Sequence, residues 1–344
     1  MINLQKLIPL KFRHLLKNKN TLFDIKTEAE FEAACIAVFH YQAKENAVYK
    51  RWLEALKVSP ESIKRVIDIP FLPISFFKNH AVICGNTGVS DTVFTSSSTT
   101  SQIPSKHIVK DIKLYENSYL KCFEQFYGQA NELVVLALLP NYLQRQGSSL
   151  VYMVNDLIQR TANKHSGFYL DDLVALKQKI ESLKKTNQKV LLIGVTYALL
   201  DLCAMDIFLN ENFIVMETGG MKGRRKEMIK EELHTVLKAG FKIQNIHSEY
   251  GMTELLSQAY SKGNGVFENP PWMRFLIRDI DDPFHLKLNG KTGGINVIDL
   301  ANVESCSFIA TQDLGKINEK NQLELMGRFD HSDVRGCNLM VSNI

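Results

Sequence analysis

The sequence contains no CxxC pair, and its six cysteines (Cys35, Cys84, Cys122, Cys203, Cys306 and Cys337) are scattered over 344 residues. That spacing excludes a zinc finger or ribbon and offers no disulfide framework. A strong charge of one sign is also missing. Forty-one basic against 37 acidic residues leave a net +4, too mild for a dedicated nucleic-acid binder. Long apolar runs are absent: the longest, Val190 to Leu200, is closed by Asp201 and falls short of the ~20 residues that span a bilayer. The opening stretch, MINLQKLIPLKFRHLLKNKN, is interrupted by Lys6, Lys11 and Arg13, which excludes the apolar core of a signal peptide. Scattered thiols without an export signal predict a reducing, cytoplasmic setting. The Walker pattern GxxxxGK[ST], the dinucleotide pattern GxGxxG and the hydrolase elbow GxSxG are all lacking. No repeat or low-complexity linker divides the chain.

What is present is a chain 45% hydrophobic and 23% charged, enough to build a sizeable core in one large domain or two medium ones. Near the start, Thr27 is positioned to cap a helix in which Phe31, Cys35, Val38 and Tyr41 fall on one face. Pro70 and Pro73 then punctuate an apolar approach loop. From about residue 108 the pattern alternates. Strands are expected at 133–138, 190–195, 213–216, 243–247, 275–280, 295–298 and 307–311, with helices around 111–127, 148–162, 171–184 and 222–238. That alternation predicts an α/β fold with mostly parallel sheets flanked by helices. The last strands, separated by Gly290, Gly293 and Gly294, predict a late antiparallel region.

Two segments carry chemistry. Thr95–Lys106 reads TSSSTTSQIPSK, an unbroken hydroxyl run closing on a proline and a lysine. Short hydroxyl side chains favour loops, and such a loop can turn several donors toward one anion while Lys106 adds positive charge. A plain solvent-facing turn satisfies the same residues. The second segment, Ile246–Glu254, reads IHSEYGMTE at the end of an expected strand, the edge where open α/β sheets bind ligands. There Tyr250 can stack on a base, Thr253 can bond a phosphate and Glu254 can hold a magnesium ion. The competing reading is a helix N-terminus capped by Thr253.

Taken together, these residues resemble the AMP-forming, adenylate-forming superfamily. Ser97, Ser98, Thr99, Thr100, Ser101, Pro104 and Lys106 look like its phosphate loop S-G-T-T-G-x-P-K, with Ser98 and Ser101 where the family prefers glycine. Tyr250, Gly251, Met252, Thr253 and Glu254 match its Y-G-x-T-E motif in full. Thr311-Gln312-Asp313-Leu314-Gly315 looks like its ribose motif, with Gln312 replacing a glycine, and Gly327-Arg328-Phe329-Asp330 looks like its hinge motif. The block LLPNYLQRQGSSLVYMVNDLI (138–158) and the Arg335-Gly336-Cys337 ending resemble one branch in particular: the acyl-protein synthetases, or long-chain fatty-acid–protein ligases (LuxE-like).

The resemblance implies a large N-terminal-type domain without the C-terminal lid of typical members. It suggests a helical lead-in over 1–70, an ATP- and acyl-binding domain over 71–328 and a hinge-like tail over 329–344 carrying Cys337. It implies that ATP and Mg2+ activate a fatty acid as acyl-AMP, and that the acyl group then passes to a cysteine thiol. Ser97–Thr100 and Lys106 would hold the outgoing phosphates, Thr253 the α-phosphate, Glu254 the metal, and Asp313 and Arg328 the ribose. Gly219 and Gly220, in a Gly-Gly turn after a strand, would run along the adenine, and Cys337 would be the acyl carrier. The expected partner is an acyl-protein reductase or another acyl-accepting protein. No nucleic acid or membrane span is expected, and a homo-oligomer stays open. An acyl- or aryl-CoA ligase and a non-catalytic nucleotide-binding subunit are the rival readings. His107 and His247, beside the two motifs, read more simply as hydrogen-bonded structural histidines, and the basic run Lys222–Lys226 as a solvated face.

Overall fold

The computed structural model describes residues 18–89, 91–96, 103–140, 147–170, 172–219 and 228–328. The helix Glu28–Glu45 begins as the sequence predicts. Thr27 accepts from the Glu30 amide while the Glu30 carboxylate accepts from the Thr27 amide, a reciprocal cap. This helix and the next, Ala47–Ala55, are tied to the short turn over residues 300–307. Gln42 donates to the Asn302 and Val303 carbonyls at 3.1 and 3.0 Å, and Asn46 donates to the Ser305 carbonyl at 2.8 Å.

A short strand β1 (Leu72–Pro73) is followed by a hairpin, β2 (Thr92–Thr95) with β3 (Lys106–Val109), whose two arms carry the ends of the hydroxyl run. The central sheet then forms from β4 (Leu133–Leu138), β5 (Gly167–Phe168), β6 (Lys189–Val195), β7 (Phe213–Thr218), β8 (His247–Tyr250) and β9 (Ala259–Ser261), in the order β5-β4-β6-β7-β8-β9. It is parallel except for the β8–β9 pair. Strands β4 and β6 read as near-continuous Leu/Val/Ile because helices cover both faces of a parallel sheet, and β4 is buried along its whole length. The helices Ile112–Tyr127, Ser149–Thr161, Leu173–Leu183, Thr196–Cys203 and Lys230–Phe241 do the covering.

The second sheet holds β10 (Val266–Phe267), β11 (Met273–Arg278), β12 (Gly293–Asp299), β13 (Phe308–Ile317) and β14 (Leu323–Arg328), ordered β10-β14-β13-β12-β11 and antiparallel throughout, with β1 added parallel to β13. The late antiparallel region is therefore as expected. Several boundaries differ: the strands expected at 275–280 and 307–311 form over Met273–Arg278 and Phe308–Ile317, and the helix expected around 222–238 forms over Lys230–Phe241. The strand expected at 243–247 forms instead over His247–Tyr250, because Lys242 takes a left-handed φ of 55° after the helix and the Ile243 amide turns back to the Lys238 carbonyl. The helix-cap reading of Thr253 also fails. Residues 251–258 are turn and loop, and β9 follows rather than a helix. Among the described residues no helix is long and apolar enough to cross a membrane.

Candidate active site at the seam of the two sheets

The parallel strands β6, β7 and β8 end side by side, and the antiparallel sheet meets them there. Tyr250, the last residue of β8, is buried among Phe267 and Phe275 and donates its hydroxyl to Asp313 Oδ2 at 2.8 Å. Asp313 is on the inward face of β13, whose buried and half-buried residues alternate as a strand covered on one side requires. Its register partner on β14 is Arg328, whose Nε lies 3.5 Å from Asp313 Oδ1 and whose side chain is 70% exposed. The arginine is thus free to meet a ligand while the aspartate stays anchored. Burial pushes the Asp313 carboxyl up, and the Tyr250 hydroxyl and Arg328 pull against it.

Glu254 is 6% exposed, and the Ser105 hydroxyl donates to its carboxylate. The hydroxyl-loop hairpin and the Y-G-x-T-E turn, far apart in sequence, are therefore in contact. His107 on β3 and Asn302 hold them together. The two His107 ring nitrogens lie 2.8 Å from the Thr253 carbonyl and 3.0 Å from Asn302 Oδ1, and Asn302 Nδ2 donates to the Glu254 carbonyl at 2.7 Å. Burial pushes the His107 pKa down to about 4 despite both acceptors. The structural reading of this histidine fits its geometry, since both ring nitrogens are taken up, by the Thr253 carbonyl and the Asn302 side chain. His247 bonds the Tyr127 hydroxyl at 3.2 Å.

The mouth of the hydroxyl loop is closed by a mutual pair: the Ser105 amide donates to Ser96 Oγ at 2.9 Å, and the Ser96 amide donates to the Ser105 carbonyl at 3.1 Å. Lys106 faces Thr95 across the hairpin and is exposed. Ser97, Ser98, Thr99, Thr100, Gly220, Cys337 and the basic run 222–226 lie outside the described residues. Gly219, at the end of β7, has a φ of 72° that favours glycine, and its carbonyl accepts from Thr196 Oγ1 at 2.8 Å.

Three residues that position the site carry no motif signature. Asp299, fully buried, accepts from the Leu256 and Ser257 amides at 2.7 and 3.0 Å, from Ser257 Oγ at 2.5 Å and from the Ala301 amide at 3.2 Å. It ties the loop after Glu254 to the end of β12. Asp299→Ala strands those donors at about 1–3 kcal/mol each, so a loss of about 3–5 kcal/mol is expected in urea unfolding, with Asp299→Asn losing less. Asn302 has no sequence signal. The third, Glu249, sits beside the motif, where neither its type nor its spacing marks it. Its Oε2 accepts from Thr218 Oγ1 at 2.6 Å, and burial pushes its carboxyl up to about 7.

Glu249 also explains the glycine of the motif. A Cβ on Gly251 would collide with Glu249 Oε1, so the glycine leaves room for that carboxylate and does not serve a positive φ. Gly251→Ala should therefore displace Glu249 and the turn together. We expect a loss of thermal stability and at least a tenfold fall in ligand-dependent activity; a variant matching the wild type in both would refute that account.

A sequence profile of the family described as acyl-protein synthetase, LuxE, matches residues 22–344. The long-chain-fatty-acid–luciferin-component ligase of Vibrio harveyi is 23% identical over 337 residues, covering 88% of this chain and 85% of that protein. Among solved structures, a 2-hydroxyisobutyryl-CoA ligase in its postadenylation state superposes with a TM-score of 0.65 at 13% identity, over 88% of this chain and 67% of its own. ATP-bound MatB from Rhodopseudomonas palustris gives 0.51 at 15% identity, over 69% of this chain and 47% of its own, so the match spans about half that enzyme's length. At such identities the structures establish the fold alone, a mixed α/β domain shared with these ligases.

Proposed function

The chain belongs to the acyl-protein synthetase family, LuxE, and from that premise we propose that it activates a fatty acid with ATP and passes the acyl group to a protein cysteine. In the first half a carboxylate oxygen bonds to the α-phosphorus and pyrophosphate leaves, giving acyl-AMP. In the second half a thiolate sulfur bonds to the acyl carbonyl carbon and AMP leaves, giving a thioester. The protein's task in the first half is to align two anions and offset the charge that develops between them.

The observation that carries this reading is the convergence of Tyr250, Asp313, Arg328 and Glu254 beside the hydroxyl-loop hairpin at one seam. Asp313 accepts from the ribose hydroxyls, held in place by Tyr250, and Arg328 donates to the ribose or the α-phosphate. The exposed Lys106 and the hydroxyl loop meet the outgoing phosphates, and Thr253 the α-phosphate. Gly219 and Gly220 are the proposed neighbours of the adenine.

Mg2+ fits Glu254 on chemical grounds. The described residues contain no cluster of three metal-ligating side chains, but Mg2+ bound with nucleotide takes only one or two carboxylates plus phosphate oxygens. Burial works against the ionised form of Glu254, with only partial relief from the Ser105 hydroxyl and the more distant Arg328. Glu254 would hold a divalent ion arriving with ATP, which would supply the missing positive charge and polarise the phosphates.

Cys337, with Arg335 two residues earlier, is the proposed acyl carrier, and the final acceptor is an acyl-protein reductase or another acyl-accepting protein. The described cysteines are all free thiols, which fits a reducing cytoplasm. The test is pyrophosphate exchange into ATP driven by fatty acid in the presence of Mg2+. Exchange without any coenzyme A supports the reading, and absence of exchange with every acid tried overturns it.

A further inference from the structure

Behind the Y-G-x-T-E turn is a cavity of about 170 Å³, lined among others by Thr95, Tyr115, Met153, Glu249, Thr253 and Gln258. Its wall holds both Thr253, assigned above to the α-phosphate, and Gly219, assigned to the adenine, so the cavity opens beside the place where acid and nucleotide meet. The space is small: at roughly 30 Å³ apiece it takes about six non-hydrogen atoms. Its lining is also not that of an alkyl pocket. Gln258 is 4% exposed, and its Oε1 has no hydrogen-bond partner among the described residues. Glu249 has the Thr218 hydroxyl on one carboxyl oxygen, while the other abuts Gly251. The two side chains flank the same spot. A Cβ on Gly251 that collides with Glu249 Oε1 would also lie 3.5 Å from Cγ of Gln258.

Filling such a wall with methylenes leaves buried polar groups unpaired, which costs more than the alkyl contact returns. A hydroxyl resolves this, since it donates to one neighbour and accepts from another, whichever way the Gln258 amide is turned. We propose that the acyl chain taken by this site carries a hydroxyl group a few carbons from the carboxylate, bonded between Glu249 and Gln258. This rests on the acid-activating reading above and deepens it by naming the substrate class.

A site built to bond a hydroxyl discriminates strongly against the analogue lacking it. The test is pyrophosphate exchange with hexanoate and dodecanoate, each compared with isomers hydroxylated at carbons three to six, and with 6-aminohexanoate. At least one hydroxylated isomer should exceed its parent about tenfold or more in kcat/KM. Glu249→Leu and Gln258→Leu should each shrink that ratio at least tenfold, and the ratio is a readout that a general loss of stability does not move. If Glu249→Leu does not fold, Gln258→Leu decides. Exchange in which the parent acids match or exceed every hydroxylated isomer overturns this inference alone, as does preference for the amino acid. Absence of exchange with any acid overturns the acid-activating reading and this inference with it.

Discussion

Glutamine in place of Glu254 is expected to cut fatty-acid-driven pyrophosphate exchange by two to three orders of magnitude while leaving the fold intact. The size follows from losing a fixed charge where the transition state develops its own, about 3–4 kcal/mol, comparable to one oxyanion donor. The fold should survive because glutamine keeps the shape and an acceptor for Ser105, and because Asn302 grips the main chain of residue 254 rather than its side chain. The pH profile provides an independent check. Burial raises the Glu254 carboxyl of the free enzyme above its ordinary range, so wild-type kcat/KM for exchange should fall as pH drops through that raised value and the charge is lost. In the variant, which has nothing to protonate there, that acid limb should flatten. Near-normal exchange by the glutamine variant would remove Glu254 from the metal site.

The same residue shows what can be read from a sequence and what cannot. Tyr250, Glu254, Asp313 and Arg328, singled out by motif, do come together at one seam, although nothing in their spacing along the chain states that contact. The strand Leu133–Leu138 was legible to the residue because both its faces are buried, which leaves a continuous apolar run. The apolar run Val190 to Leu200 hid a second element. The strand expected at 190–195 ends where the strand Lys189–Val195 does, but the helix Thr196–Cys203 that follows at once is buried on all sides in its apolar part and carries no periodicity to announce it. The contact of Ser105 with Glu254, the His107 bond to the Thr253 carbonyl and the Asp299 anchor were not legible. They join residues far apart in the chain through side chains equally at home in any loop. Glu249 stood next to the motif, but only the fold reveals that it turns into a cavity and presses on Gly251.

The second large effect is expected at Cys337. With labelled fatty acid and ATP-Mg, the chain should label itself through a thioester that neutral hydroxylamine releases, and coenzyme A should not be needed. Cys337→Ser should abolish that label while leaving pyrophosphate exchange largely intact, because the thiol acts only once acyl-AMP exists. Serine has nearly the same size, but its hydroxyl is barely ionised at neutral pH and is a poor nucleophile without a dedicated base. The other cysteines make weak competitors on physical grounds. Cys35, Cys84, Cys122 and Cys306 are buried, and burial pushes each thiol up, Cys306 to about 12. Cys203 is partly accessible, and its thiol is pushed up as well. A thiolate must be both formed and reachable to attack, and none of these five meets both conditions. Label that persists in the serine variant and maps to one of them would make Cys337 structural. Label that appears as acyl-CoA instead would move the acceptor off the protein altogether.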